Sequence, residues 1–355
     1  MIIWIDAAAA DCCENTPAVI VDAILELGEA GYKGRHVVVG PRPLMAHLAN
    51  FEALSLRARV YFRRIAEEYT QLGAAINGVR NVIASIGAFA PISYGGGWRV
   101  PLSLFAQSEY SEPCSVVCEN DTDYEIYSAF AEFMARKNFP GFVLSSRSHA
   151  GGGASTSTVL SRLLARPGPV FLCILDSDRS AVLGAEGSTA RGCRRVWTEG
   201  WRNELFVLNS RELENIVPWP LICRWAESVG MDDERISSFE SVHSDVSSYV
   251  CLKSGEPLCR FHRVSADAEG YERTINALRE TAKRHARFSR CGASCDECGC
   301  SVSPPLGENF LRRFSDWVRD HNSWRLIPDV ERWPVDLTAA ASLFLGFSLA
   351  LPRKQ

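Results

Sequence analysis

The stretch Val170-Phe-Leu-Cys-Ile-Leu175 narrows the fold more than any other part of this chain. It is apolar at every position, is entered from Pro167-Gly-Pro169 and stops at Asp176-Ser-Asp178. A strand with one wet face alternates apolar and polar side chains, whereas an unalternating run marks a strand covered on both faces, as in a parallel sheet between helices. The neighbouring segments agree. Strands are expected at 115–118, 141–145, 170–175 and 204–208, with helices at 123–137 and 154–165 between them. This alternation predicts an α/β class built around a parallel sheet flanked by helices.

At 355 residues the chain is long enough for two or three units, and its breaks suggest 1–110, 111–217 and 218–355. The first unit reads as strand 2–5, helix 18–31, strand 36–39 and a long helical stretch over 44–86 that carries Arg57, Arg59, Arg63 and Arg64. Gly95-Gly-Gly97, between Pro91 and Pro101, closes it. It is expected to be an accessory α/β or mostly helical unit. From about 218 the pattern turns helical, irregular and cysteine-rich, with a Ser-rich loop or linker over 236–248. The late apolar stretch 337–351 is too short to span a bilayer and is expected to dock as a helix on the protein or a partner. Met1-Ile-Ile-Trp-Ile-Asp6 lacks the basic start and long apolar centre of a signal peptide, so no export, a cytoplasmic location and no membrane role are expected.

The carboxylates that carry chemistry sit where predicted strands end. Asp176 and Asp178 lie two apart, so an extended backbone points both the same way, and such an oxygen pair suits a hard cation such as magnesium or manganese. A surface turn is the plainer reading of Asp-x-Asp. Glu119 ends Ser115-Val-Val-Cys118 and faces the same sheet edge, where it is placed to act as metal ligand or general base. Asp121 and Asp123, just beyond, read as helix-start residues. Gly151-Gly-Gly153, before a Ser/Thr-rich helix start, allows backbone amides close to a phosphate, or simply makes a turn. Glu214 reads either as a site residue or as a first-turn helix acid.

In that order these elements resemble the Toprim catalytic domain of topoisomerases, bacterial primases and a class of nucleases that includes the overcoming-lysogenization-defect family. There a glutamate ends the first strand, a glycine follows the second and Asp-x-Asp ends the third; Glu119, Gly152 or Gly153, Asp176 and Asp178 match over about a hundred residues. Arg211-Glu-Leu-Glu214-Asn215 is similar to a segment typical of the nuclease branch, and Lys253 in Tyr249-Val-Cys-Leu-Lys253-Ser-Gly255 to a lysine found there. Asn120 departs from the glycine usual after the first glutamate. The resemblance implies a Mg2+- or Mn2+-dependent nuclease of the type found in anti-phage defence, with Glu119, Asp176 and Asp178 on the metal, Glu214 and Lys253 assisting, and the glycines admitting phosphate. Residues 1–110 hold no Gly-x-x-x-x-Gly-Lys, so a regulatory ATPase is expected either on a separate subunit or not at all. Nucleic acid and a second copy of the chain are the other expected partners. A primase-like or repair protein, or a non-catalytic adaptor, is the alternative.

The chain has thirteen cysteines, which without an export signal argue for reduced thiols and metal ligands. Cys291, Cys295, Cys298 and Cys300 could close a structural zinc site, with Cys251, Cys259 or His262 replacing a spare member. An iron–sulfur cluster and plain thiols are the other readings. A basic run, Lys283, Arg284, His285, Arg287 and Arg290, could contact phosphates or be a solvated face. The net charge of −4 leaves any polyanion binding to such local clusters.

Overall fold

A computed structural model of the chain describes residues 1–6, 17–76, 81–95, 97–181, 184–231, 236, 247–255, 305–320 and 323–353. They form two mainly parallel sheets and a layer of carboxyl-terminal helices. The first sheet is made by β1 (Ile2–Ile5), α1 (Ala18–Tyr32), β2 (Val37–Val39), α2 (Arg42–Leu48), α3 (Leu56–Glu67), α4 (Tyr69–Ile76), β3 (Asn81–Ser85), β4 (Ile92–Tyr94) and β5 (Gly97–Pro101). Its order is β2-β1-β3-β5-β4, parallel except for the β4–β5 pair. The unit is therefore α/β. The helical stretch expected over 44–86 divides into three helices and then a strand, because Asn81-Val-Ile-Ala-Ser85 finds a slot beside β1. Burial in a sheet outweighs the weak helical preference of so short a segment.

The second sheet follows a connector of 3-10 turns. This part of the chain comprises β6 (Cys114–Cys118), α5 (Asp121–Asn138), β7 (Val143–Leu144), β8 (Ser146–Ala150), α6 (Thr156–Ala165), β9 (Phe171–Leu175), α7 (Ser188–Val196) and β10 (Asn203–Val207), of which all the strands but β7 belong to the sheet. Its four parallel strands run β10-β9-β6-β8. β6 and β9 are buried at every position, as their unbroken apolar runs require.

The strand expected at 141–145 is corrected. The parallel partner of β6 is the polar Ser146-Arg-Ser-His-Ala150, whereas Val143 and Leu144 pair antiparallel with a strand from the far end of the chain. An edge strand has one open side and needs no apolar cover, so its sequence carries no hydrophobic signature.

Helices α8 (Trp219–Ser228), α9 (Phe310–Arg319) and α10 (Val335–Ser348) complete the fold, and β11 (Leu349–Ala350) is the partner of β7. α9 and α10 lie on α5. Trp225 meets Phe310 edge-on with centroids 4.9 Å apart, and Trp333 meets Phe130 at 5.1 Å. Leu337, Ala340, Ala341, Phe344, Leu345 and Phe347 are all buried, so the late apolar stretch docks on the protein itself. No helix among the described residues is long and apolar enough to cross a membrane. Trp201, entering β10, meets Phe105 of the connector at 5.6 Å and joins the cores of the two sheets.

Candidate active site

Parallel strands put their carboxyl ends on one edge, and in an open α/β sheet a crevice opens where the chain crosses from one side of the first strand to the other. In the second sheet that point lies between β6 and β9. Glu119 follows one strand and Asp176 the other, as the sequence predicts.

Glu119 is held by backbone. Gly151 N donates to Cys118 O at 2.7 Å and Gly152 N to Glu119 O at 3.1 Å, so the glycine loop is stitched to the strand that carries the glutamate. Gly152 and Gly153 have φ of +74° and +56°, the left-handed region that favours glycine. At Gly151 the reason is closeness, since a Cβ there would lie 2.9 Å from Cys118 O. Glu119 Oε1 is buried without a hydrogen-bond partner. Desolvation first, then the charges of Asp178 and Asp123, push its carboxyl up to about 7 against the pull of Lys253.

The Asp-Ser-Asp turn is fixed at its middle. Ser177 is buried and its Oγ donates to Ser210 O at 2.6 Å, leaving the aspartates on the other side. Leu213 N donates to Asp176 Oδ1 at 3.0 Å. Asp176 is raised well above the usual carboxylate range, chiefly by desolvation and then by Asp123, Glu214 and Glu119. Asp178 has φ of +53°, the one non-glycine residue with positive φ among those described. Its N donates to Arg211 O at 2.8 Å, and its side chain fills the space that Gly187 leaves open. Such a conformation costs about 1–3 kcal/mol and persists only where the surroundings hold it.

Arg211-Glu-Leu-Glu214-Asn215 is the hinge between the sheet and the lysine. Arg211 N donates to Ser248 O at 2.8 Å, Asn215 Nδ2 donates to Ser247 O at 2.7 Å and Val250 O at 2.9 Å, and Glu212 Oε1 accepts from Leu252 N at 3.1 Å. These bonds bring Lys253 to the acids. Its Nζ lies 3.3 Å from Glu214 Oε1 and 3.7 Å from Glu212 Oε2. Glu214, in a 3-10 turn, is 1% exposed and its Oε2 has no hydrogen-bond partner, so it is more than a helix-start acid. Desolvation, then Glu212, push Glu214 up to about 7, with Lys253 opposing. Burial pulls the Lys253 ammonium down, but Glu214, Glu212 and Asp176 together outweigh it and hold the group charged.

The turn is latched from outside. Ser210 N donates to Asp336 Oδ2 at 2.7 Å and Asn209 Nδ2 to Asp336 Oδ1 at 2.8 Å, from the first turn of α10.

Two members of the cluster escape sequence reasoning. Asp123 caps α5, accepting from Asn120 N at 3.0 Å, yet it is also 8% exposed and pushed up to about 6 by desolvation, so it belongs to the same electrostatic unit. Glu212 is the other; its spacing two before Glu214 was the available signal. Asp121 accepts from Ser148 Oγ at 2.5 Å and stays on the surface. The cysteines 291, 295, 298 and 300, together with Cys259, His262 and the basic run 283–290, lie outside the described residues. Cys251 is described and has its Sγ 3.2 Å from Ser254 Oγ.

Among the described residues no three His, Cys, Asp or Glu side chains are drawn together as a formed metal centre. The donor set nevertheless fits one: Glu119 Oε1 and Glu214 Oε2 are buried oxygens without partners, beside Asp176 and Asp178. Hard carboxylate oxygens suit magnesium or manganese, and Lys253 alone does not offset so many acids. Compared with known proteins, the chain matches no family model, no curated protein and no solved structure.

Proposed function

We propose that the chain is a Mg2+- or Mn2+-dependent nuclease with a Toprim-like catalytic sheet, hydrolysing phosphodiesters of DNA or RNA. The observation that carries this reading is the gathering of Glu119, Asp176, Asp178 and Glu214, from segments far apart in sequence, at one sheet edge beside a glycine loop. Buried carboxyl oxygens without partners are costly, about 1–3 kcal/mol each, and such groups concentrate where a ligand answers them.

Glu119, Asp176 and Asp178 would hold the metal, with Glu214 at its margin. A bound divalent cation supplies charge neutralisation at phosphorus and a more acidic water. Gly151 to Gly153 let the phosphate backbone approach without side-chain obstruction. Lys253 pairs with Glu214 and Glu212 and would offset charge on the departing oxygen. An anti-phage effector kept silent by a partner ATPase is the biological setting that belongs to this reading.

The test is plasmid nicking by purified protein with manganese. Glu119→Gln should lower the rate by a factor of about 10² or more while the circular dichroism spectrum is unchanged. Nicking undiminished in that variant overturns the site.

A further inference from the structure

A groove runs along the flank of the second sheet, between α6 and the edge strand β8. At its deepest it is a cavity of about 360 Å3 lined by His149, Val159, Arg162, Leu163, Arg166 and Arg202 among others, with no carboxylate in its wall. Val159, Arg162 and Leu163 lie on one face of α6, and Arg166 follows directly after its last residue. Arg162, Arg166 and His149 are exposed and form no ion pair with any described residue. Other arginines, such as Arg35, Arg64, Arg179 and Arg194, are paired with glutamates.

Arg202 makes the groove fit for anions. A helix carboxyl end presents bare carbonyls that repel phosphate. Here Arg202 Nη2 donates to Leu163 O at 2.8 Å and Leu164 O at 3.0 Å, covering those carbonyls, while its guanidinium stacks over the Phe171 ring at 5.6 Å. The side chain is thus fixed in place, and a second hollow of about 470 Å3, lined by Glu199, Trp201 and Asn203 among others, opens beyond it.

The other end of the groove leads to the acids. His149 pairs in register with Val117 and Ala150 with Cys118, so the next residues, the glycine loop and Glu119, stand at its mouth. α6 has 10 residues and is about 15 Å long, enough to align several phosphates of an extended strand with the site.

The geometry points to this groove as the track that binds the sugar-phosphate backbone of a nucleic-acid strand and leads it to Glu119; the inference rests on the nuclease reading. Positive charge with no carboxylate in the wall of the cavity beside β8, alongside an open strand edge, is complementary to a polyanion that the acidic cluster itself would repel. Arg191 and Arg195, exposed on the neighbouring α7 and without ion pairs to described residues, extend the same charge.

The test is binding of a fluorescein-labelled single-stranded 20-mer and its duplex, followed by anisotropy in EDTA so that no cleavage occurs. Arg162→Glu/Arg166→Glu should weaken binding of the preferred probe at least tenfold and make the salt dependence shallower by about 1 to 2 in log–log slope. Arg63→Glu, an exposed position on α3, should leave binding unchanged. Thermal melts check that both variants are folded. Wild-type protein that cleaves, with affinity untouched by the double variant or equally lowered by Arg63→Glu, overturns the groove and leaves the nuclease reading standing. Neither binding nor cleavage by the wild type overturns both.

Discussion

The two sheets share one plan and put it to different ends. Taking the parallel strands in chain order and setting aside the antiparallel edge strand β4, each places its second strand, first, third and fourth side by side: β2-β1-β3-β5 in one, β8-β6-β9-β10 in the other. Each therefore has a crevice at the carboxyl edge between its first and third strands, and an acid there. In the first sheet that acid is Asp6, whose Oδ2 accepts from Ser85 Oγ at 3.0 Å and whose N donates to Ala84 O at 3.0 Å. It is satisfied by its neighbours. In the second sheet Glu119 and Glu214 keep buried oxygens without partners and have proton affinities near neutrality. Topology offers a crevice twice, and unanswered charge distinguishes the one to which we assign chemistry.

The sharpest way to break this contrast is to neutralise both acids. Asp6→Asn should leave manganese-dependent nicking within about twofold of wild type, against the loss of 10² or more expected for Glu119→Gln. Equal losses would place the chemistry elsewhere. Next in size is the lysine. Lys253→Met strands Glu214 and Glu212 without their counter-charge and should lower stability by about 2 kcal/mol in urea, most of it recovered in Lys253→Met/Glu214→Gln. No coupling between the two would mean that the ion pair is idle.

The third prediction concerns protons. Glu119 and Glu214 have folded values of about 7 against 4.5 for the free group, so between those values the folded chain holds protons that the unfolded chain has released. Stability from these groups is therefore fully present below about 4.5 and is lost as pH rises through about 7. In EDTA the melting temperature should fall from about pH 5.5 to pH 8 more steeply than in Glu119→Gln/Glu214→Gln, and manganese should flatten the difference. Parallel curves for the two proteins would dissociate the acids from stability. The smallest effect compares glycines at equivalent places. A Cβ at Gly40, after β2, would lie 2.7 Å from Ile5 O, and one at Gly151 2.9 Å from Cys118 O. Each change to alanine should cost about 1–2 kcal/mol in denaturant titration, but only Gly151→Ala should also slow nicking.

What the sequence revealed follows from burial. β6 and β9 are legible because strands covered on both faces must be apolar, and the half-buried β10 shows in its Leu205-Phe-Val207 run, whereas β8 is polar and β3 is hidden at the end of a helical stretch. α7 escapes because Ser188-Thr-Ala-Arg-Gly-Cys-Arg-Arg-Val196 has little apolar content to show a period. At the site, Glu119, Asp176 and Asp178 could be placed by their positions at strand ends. Glu212 and Asp123 could not, since both double as structural residues in local turns and only packing reveals their desolvation. The coming together of Lys253 and Glu214 is likewise a tertiary fact, made by hydrogen bonds from Asn215 to residues beyond 246.

The latch at Asp336 sets a schedule. Ser210 and Asn209, which lead into the segment carrying Glu212 and Glu214, are tied to a carboxylate 126 and 127 residues further along the chain, and Val143 and Leu144, just before β8, pair with Leu349 and Ala350. A ribosome making this protein exposes β6, β9 and β10 long before those partners emerge. For a chain with the chemistry proposed above, the cutting site is assembled only once residues 336 to 350 have been made, so products that stop short of them do not carry a finished blade into the cell that made them.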